Sequence, residues 1–401
     1  MAHSNSIYPI YITCCLGLFL STLDTGIINL ALNSLSINFN VSLEYIGFSV
    51  TLYLLFLIVF LIPSGWFGDF FGQKIALIMG FSLFGLTSLL AGISESANQL
   101  IISRCGQGIG AALLQANCLG LAGLQSTKQK LRLNSCIMLS ISLGPILGPS
   151  FGGVILKLCG WQLLFLINVP LCIFGSLFSL KITKTTNAQK NRVFDLKGMM
   201  RFKLLLNPPV RYLFIGSFVF GLTAGVVFTV SPLLFIGESS YTIDYIGLIC
   251  TASPIGVVLS VFIKKLIGTN YNKIILCYAL PFMLLAFVLL FFVSFNISVF
   301  EYVIAALCYG VGGGLFQSAL IQIATNQQKD KQSTIGGLLR LFQNGGIIVG
   351  AAYSLAVLDV KVASLCGIPA YSKLWGIMFI ALVIMFVYSY KSSFGKNAAR
   401  Y

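Results

Sequence analysis

The chain has 401 residues, of which 57% are hydrophobic and 9% charged, against roughly 25% charged in an ordinary soluble domain. So few charges cannot cover a soluble fold of this length, and the mean hydropathy of +0.94 agrees; most soluble enzymes, secreted disulfide scaffolds and disordered chains are excluded. The net charge of +15 would suggest nucleic acid in a soluble protein, but its placement argues otherwise.

A membrane-spanning helix needs about 20 mostly apolar residues. Twelve such runs are predicted, near 9–32, 45–66, 75–93, 99–124, 133–156, 161–181, 212–236, 245–264, 274–294, 301–324, 333–357 and 374–390. The first is not expected to be a signal peptide, because it lacks a basic n-region and carries Asp24 in its body. With the N-terminus in the cytoplasm, 20 of the 25 basic residues fall in cytoplasmic loops and tails. Only Lys157, Lys361 and Lys373 fall outside, and Arg104 and Arg340 lie within spans. The acidic residues Glu44, Glu95, Glu238, Asp244, Glu301 and Asp359 are all external. The positive charge is therefore a cytoplasmic-face property, explained by attraction to anionic lipid without nucleic acid. Both termini are expected in the cytoplasm of a bacterial-type inner membrane.

The halves are related. Residues 108–116 read GIGAALLQA and residues 310–318 read GVGGGLFQS, an offset of 202 that also relates Gly144 and Gly148 to Gly346 and Gly350. LEYIGF at 43–48 matches IDYIGL at 243–248, an offset of 200. The implied architecture is an all-α membrane protein: six-helix bundles over 1–181 and 212–401, in parallel orientation, joined by a basic cytoplasmic linker over 182–211. Parallel repeats of this kind are a transporter architecture, with cargo held near the midplane between the halves.

A charge at the centre of a spanning helix costs roughly 2.5–3.5 kcal/mol on insertion scales, so each buried ionisable residue is informative. Asp24 lies eight residues from the outer end of its run, about 12 Å deep, and Arg104 sits about 8 Å deep from the same side. A pair between them is predicted if their helices are neighbours. Two readings stay open: a carboxylate that gains and loses a proton beside Arg104, or a static ion pair fixing two helices. Arg340, about seven residues into its run from the cytoplasmic side, either grips an anionic cargo or snorkels to the headgroups. Gln115 and Gln317, related by the repeat, either line a cavity or hydrogen-bond neighbouring helices. Gly144, Gly148 and Gly152 put small residues on one face, and Pro145 and Pro149 bend the helix. This is either a rocking surface or ordinary small-residue packing.

The 11 cysteines, mostly inside apolar runs, read as small fillers. With no C-x-x-C pair, no Cys/His cluster and His3 as the single histidine, no metal is expected. Clustered nucleophiles are also lacking, so no enzyme is expected. No cofactor is expected beyond a proton gradient as energy source. The partners implied are a small-molecule cargo, protons and the lipid bilayer, with the chain acting as a monomer.

The chain resembles the major facilitator superfamily, within it the drug:proton antiporter branch. Residues 23–32 (LDTGIINLAL) resemble the block LDxTxVNxAL, and 65–74 (GWFGDFFGQK) the loop GxLaDrxGrk. Residues 104–112 (RCGQGIGAA) are similar to RxxqGxgaa, 144–153 (GPILGPSFGG) to the exporter block GxxxGPxxGG, and 161–170 (WQLLFLINVP) to the same branch. The resemblance implies proton coupling by Asp24 and Arg104. Asn29, Gln115, Gln317 and Arg340 are the candidate cavity positions, and the resemblance implies a cytoplasmic latch of Gly65, Asp69, Gly72 and Lys74. It also implies an antiporter-type hinge at Gly144, Gly148, Pro149, Gly152 and Gly153. Phe70 and Gln73 stand where the family loop has basic residues, which weakens the latch's cationic network. The first block is typical of fourteen-span members, and the 182–211 connector is too polar to hide two more spans. Multidrug or metabolite export by proton antiport is the expectation. The alternatives are a dedicated exporter or importer of an anionic metabolite such as a carboxylate siderophore, and a non-transporting membrane receptor.

Overall fold

The computed structural model describes residues 7–182, 208–236, 243–267, 270–295, 298–327, 332–358 and 370–394. Most of the predicted linker, including all of its basic residues between 183 and 207, lies outside them. Among the described residues the fold is all-helical, and nine helices are long and apolar enough to cross a membrane.

Two compact units are present. The first holds residues 1–201 and 325–341. Its helices are α1 (Ile7–Phe39), α2 (Leu43–Phe71), α3 (Gln73–Gly92), α4 (Ala97–Gly123), α5 (Thr127–Cys159), α6 (Gln162–Leu166) and α7 (Asn168–Leu180). The second holds 202–324 and 342–401. It contains α8 (Pro208–Ile236), α9 (Ile243–Cys250), α10 (Ala252–Ile267), α11 (Tyr271–Ile274), a π-helical turn (Ile275–Ala279), α12 (Leu280–Val293), α13 (Val299–Gln327) and α15 (Ala370–Phe394). Helix α14 (Gln332–Leu358) contributes to both.

Each predicted apolar run falls on helix, but three are interrupted. The breaks come at Ile167, at Thr251 and in the π-turn over Ile275–Ala279. Each lies just ahead of a proline, Pro170, Pro254 or Pro281. Proline has no N–H for the carbonyl four residues earlier, and the backbone loosens where that bond is missing. Side chains cap the starts of α2 and α4. Ser42 Oγ accepts the Tyr45 N–H at 3.2 Å and Ser96 Oγ accepts the Gln99 N–H at 3.3 Å, while Gln99 Oε1 accepts from Glu95 N at 2.9 Å. Gly72 closes α2 at φ 95°, a left-handed conformation that a side chain would strain, and returns its N–H to Gly68 O at 3.0 Å.

In the first unit α4 packs against α2 and α3, α1 against α5, and α3 against α7. Glycine sets the closest of these approaches. A Cβ on Gly144 of α5 would meet Leu23 N at 2.7 Å and the Thr22 carbonyl carbon at 2.8 Å. In the second unit a Cβ on Gly346 of α14 would meet Leu222 N at 2.7 Å on α8. The expected small-residue face is therefore present at Gly144, in backbone-to-backbone contact. Gly144→Leu is expected to separate α1 from α5 and destabilise the fold by about 1–3 kcal/mol or more. Thermal unfolding of the detergent-solubilised chain checks this; an unchanged midpoint would contradict the seating.

Candidate functional site

Asp24 on α1 and Arg104 on α4 form a buried ion pair, with side chains 3% and 0% exposed. Arg104 Nη1 donates to Asp24 Oδ2 and also to Gln107 Oε1 at 2.8 Å. Arg104 Nε donates to the Ser49 carbonyl on α2 at 3.3 Å. The guanidinium lies over the Tyr53 ring, 4.2 Å from its centroid, a favourable cation–π position. The other oxygen of Asp24, Oδ1, accepts from Asn168 Nδ2 on α7 at 3.3 Å. Gln107 passes the chain on to Ser88 Oγ on α3 at 2.7 Å. One carboxylate thus gathers groups from α1, α2, α3, α4 and α7. Chemically, the cluster sets one buried carboxylate against a guanidinium that keeps other partners.

The loop motif makes a second cluster in the first unit. Asp69 Oδ2, near the end of α2, accepts the Thr334 N–H at 2.9 Å and the Thr334 hydroxyl at 2.6 Å. Thr334 lies in the first turn of α14, where unsatisfied N–H groups and the helix dipole favour an anion. Gln73, fully buried where the resembling family carries a basic residue, reaches Asp69 Oδ1 at 3.5 Å. Lys74 donates instead to the Leu180 carbonyl at the end of α7, at 2.6 Å. Gly65 is buried within α2.

The other predicted positions are dispersed. Gln115 Nε2 donates to Ser21 Oγ at 3.3 Å, on α1 in the first unit. Gln317 Nε2 donates to Gln343 Oε1 at 2.6 Å, in the second. Arg340 is 3% exposed, on the stretch of α14 that belongs to the first unit. Gly337 on the same stretch lies against the Leu61 carbonyl, 2.6 Å from an added Cβ. The side chain of Asn29 lies outside the described residues, as do the surroundings of Gly148, Pro149 and Gly153; Gly152 is buried. Among the described residues no group of three metal-ligating side chains occurs.

Sequence reasoning placed Asp24 beside Arg104 but assigned no role to Asn168, Tyr53 or Thr334. Gln107 was findable, being three residues from Arg104 on one helix face. Asn168 sits 144 positions from Asp24 in an otherwise apolar helix, and a lone amide there is a polar group that needs a partner. That was its available signal.

An all-helical fold of long apolar helices, with a buried ion pair inside it, defines an integral membrane protein built around an intramembrane polar site. The family model for the Major Facilitator Superfamily matches residues 14–351, and the chain belongs to that superfamily of membrane transporters. The fold is similar to the proton:xylose symporter XylE bound to 6-bromo-6-deoxy-D-glucose, with TM-score 0.75, 15% identity, and 97% of this chain and 96% of that one covered. It is also similar to the human organic anion transporter MFSD10, with TM-score 0.74, 13% identity and coverage of 94% and 98%. In sequence the chain is 31% identical over 195 residues to the riboflavin transporter RibZ of Clostridioides difficile, covering 48% of this chain and 43% of that protein. It is 35% identical over 185 residues to the putative multidrug resistance protein MdtD of Pectobacterium atrosepticum, covering 46% and 40%. The matched stretches thus span less than half the length of these curated relatives.

Removing one member of a buried pair leaves an uncompensated charge, whereas replacing both with apolar groups is often neutral. Arg104→Met alone is expected to destabilise the chain by about 3–5 kcal/mol, and the double variant Asp24→Leu, Arg104→Met to recover most of that loss. Parallel unfolding of the two proteins in detergent measures the difference. Equal loss in both would mean that the charges do not compensate one another.

Proposed function

We propose that the chain is a proton-coupled secondary transporter that exports a small organic molecule in exchange for protons, by alternating access. The observation that carries this reading is the buried Asp24–Arg104 pair. A static pair needed only to fix helices would be wanted wherever the repeat places those helices. Gly346 seats on Leu222 as Gly144 seats on Leu23, which makes Thr223 the counterpart of Asp24, and the offset of 202 makes Ala306 that of Arg104; both are buried and uncharged. The second unit packs α8 against α14 through Gly346 as the first packs α1 against α5 through Gly144, with no charge at those positions. At this level α8 is joined to α13 by the uncharged Thr223–Tyr309 hydroxyl contact at 3.0 Å, so the repeat does not need charge to join these helices, and that favours a role for the pair in coupling.

The wider assignment is twelve spanning helices in two parallel repeats, 1–181 and 212–401, joined by the basic 182–211 linker. The expected setting is an inner membrane with cytoplasmic termini and a monomeric chain. Glycine seats at equivalent positions in the two units support the repeat. The similarity to multidrug-named and vitamin-transporter relatives supports export of a small organic cargo of the antiporter branch. A ligand shifts a two-state carrier only through its differential affinity for the states. Protonation of Asp24 from outside, and cargo binding from the cytoplasm, would supply opposed preferences. In the observed conformation Asp24 is 4% exposed, so proton exchange belongs to another state of the cycle. Asp69 bound to the start of α14, with Gly65, Gly72 and Lys74 around the turn, is assigned to the cytoplasmic latch, and Gly144 to Gly153 to the hinge.

A second reading concerns charge. Arg340 is buried to 3% exposure instead of reaching the surface, and a guanidinium held there favours an anionic cargo.

Asp24→Asn is expected to insert, with some loss of stability, and to abolish gradient-driven efflux in inverted vesicles. Undiminished efflux by that variant sinks the assignment. Arg340→Ala is expected to reduce transport of anionic substrates at least tenfold while sparing cationic ones. An equal loss for both would argue against charge recognition.

A further inference from the structure

We propose that Asn168 is the second partner of the proton-exchanging carboxyl, serving Asp24 in both of its protonation states. The inference rests on the reading that Asp24 takes up a proton and names a residue that this exchange requires. Asn168 is 1% exposed. Its Nδ2 donates to Asp24 Oδ1 at 3.3 Å, while its own Oδ1 is a buried acceptor with no hydrogen-bond partner. A buried polar atom left this way is costly unless another state uses it.

The chemistry of the two states explains the arrangement. An ionised carboxylate only accepts hydrogen bonds, whereas a protonated one must also place an O–H. The titratable or charged groups facing Asp24 from the packed helices are Arg104 on α4, Tyr53 on α2 and Cys172 on α7. Arg104 is a donor only. The Tyr53 hydroxyl bonds to the Ser21 carbonyl at 3.2 Å and not to the carboxylate, whose partners are Arg104 and Asn168, and a thiol is a weak acceptor. The amide of Asn168 carries a donor and an acceptor on one soft terminal torsion. A half-turn of that torsion replaces Nδ2–H···Oδ1 of the carboxylate by O–H···Oδ1 of the amide, with the proton delivered from water. Arg104 does not follow. It keeps the Ser49 carbonyl, Gln107 Oε1 and the Tyr53 face when its anion is neutralised. The guanidinium stays anchored to α2 and α4 while the α1–α7 contact changes its polarity.

The test is infrared difference spectroscopy of the full chain in lipid across a pH jump, reading the C=O band of the neutral acid. The band is identified by its loss in Asp24→Asn. In Asn168→Leu the acid's O–H has no acceptor, and the band is expected to move to higher wavenumber. In Asn168→Ser, whose hydroxyl also donates and accepts, it is expected to stay near its original position. Asn168→Ala makes the same comparison if the leucine variant does not fold. A band unchanged in the leucine and alanine variants overturns the role of Asn168 and leaves Asp24 as the proton carrier. The absence of any band lost in Asp24→Asn overturns the carrier itself.

Discussion

Moving a carboxylate and a guanidinium out of water carries a desolvation penalty of several kcal/mol per ion, and their mutual attraction repays it only when the remaining lone pairs and protons are met. The first unit meets most of them, although Arg104 Nη2 is buried without a hydrogen-bond partner. Arg104 is held by a carboxylate from α1, a main-chain carbonyl and a ring face from α2, and an amide from its own helix. Asp24 is held in turn by α7 through Asn168. Four helices are therefore cross-linked through two side chains. Apolar burial gives these helices a reason to associate but is non-directional. The ion pair with its partners sets which residues must face one another.

The glycine contact works on the same helix from the opposite side. Gly144 presses on Thr22 and Leu23, the residues immediately before Asp24. The Thr22 hydroxyl is the nearest atom, followed by the Leu23 nitrogen and the Thr22 carbonyl carbon at 2.7 and 2.8 Å from an added Cβ, so α5 sits against the backbone just ahead of the carboxylate. This joins two features that the sequence presents separately, the hinge block in α5 and the acidic block in α1. The equivalent seat of Gly346 on Leu222 in the second unit shows that the packing is a property of the repeated helix pair, whereas the charge was placed in one half.

Much of this was legible before any coordinates. Spans follow from hydropathy because the bilayer imposes length and apolarity together, and Asp24 could be matched to Arg104 because both were anomalous at similar depth. The interruptions at Ile167, Thr251 and Ile275–Ala279 were written in Pro170, Pro254 and Pro281 but were overridden by the apolar runs that contain them. Thr334, 265 positions from Asp69, was not legible at all. Its role comes from standing in the first turn of a helix whose exposed N–H groups an acid can cap, and a threonine among polar loop residues carries no mark of that. Lys74 read naturally as part of the Asp69 cluster, yet it bonds to a carbonyl of α7, because a helix C-terminus presents free acceptors that a nearby ammonium satisfies.

Burial of the acid also constrains the transport cycle. On the proposed proton-coupled reading, a group 4% exposed would exchange protons only when a neighbouring helix withdraws. Arg104 has three anchors besides Asp24, and two of them lie on α2. Neutralising Asp24 would remove one link of α1 to α4, leaving Gln115 to Ser21 and Cys14 to the Cys118 carbonyl, while Arg104 keeps its hold on α2. On the proposed reading, a proton arriving at one atom would thereby change how firmly these helices are bound to each other. Coupling by population shift requires a difference of this kind between states, and on the proposed reading it would arise from the unequal number of partners on the two sides of a single ion pair.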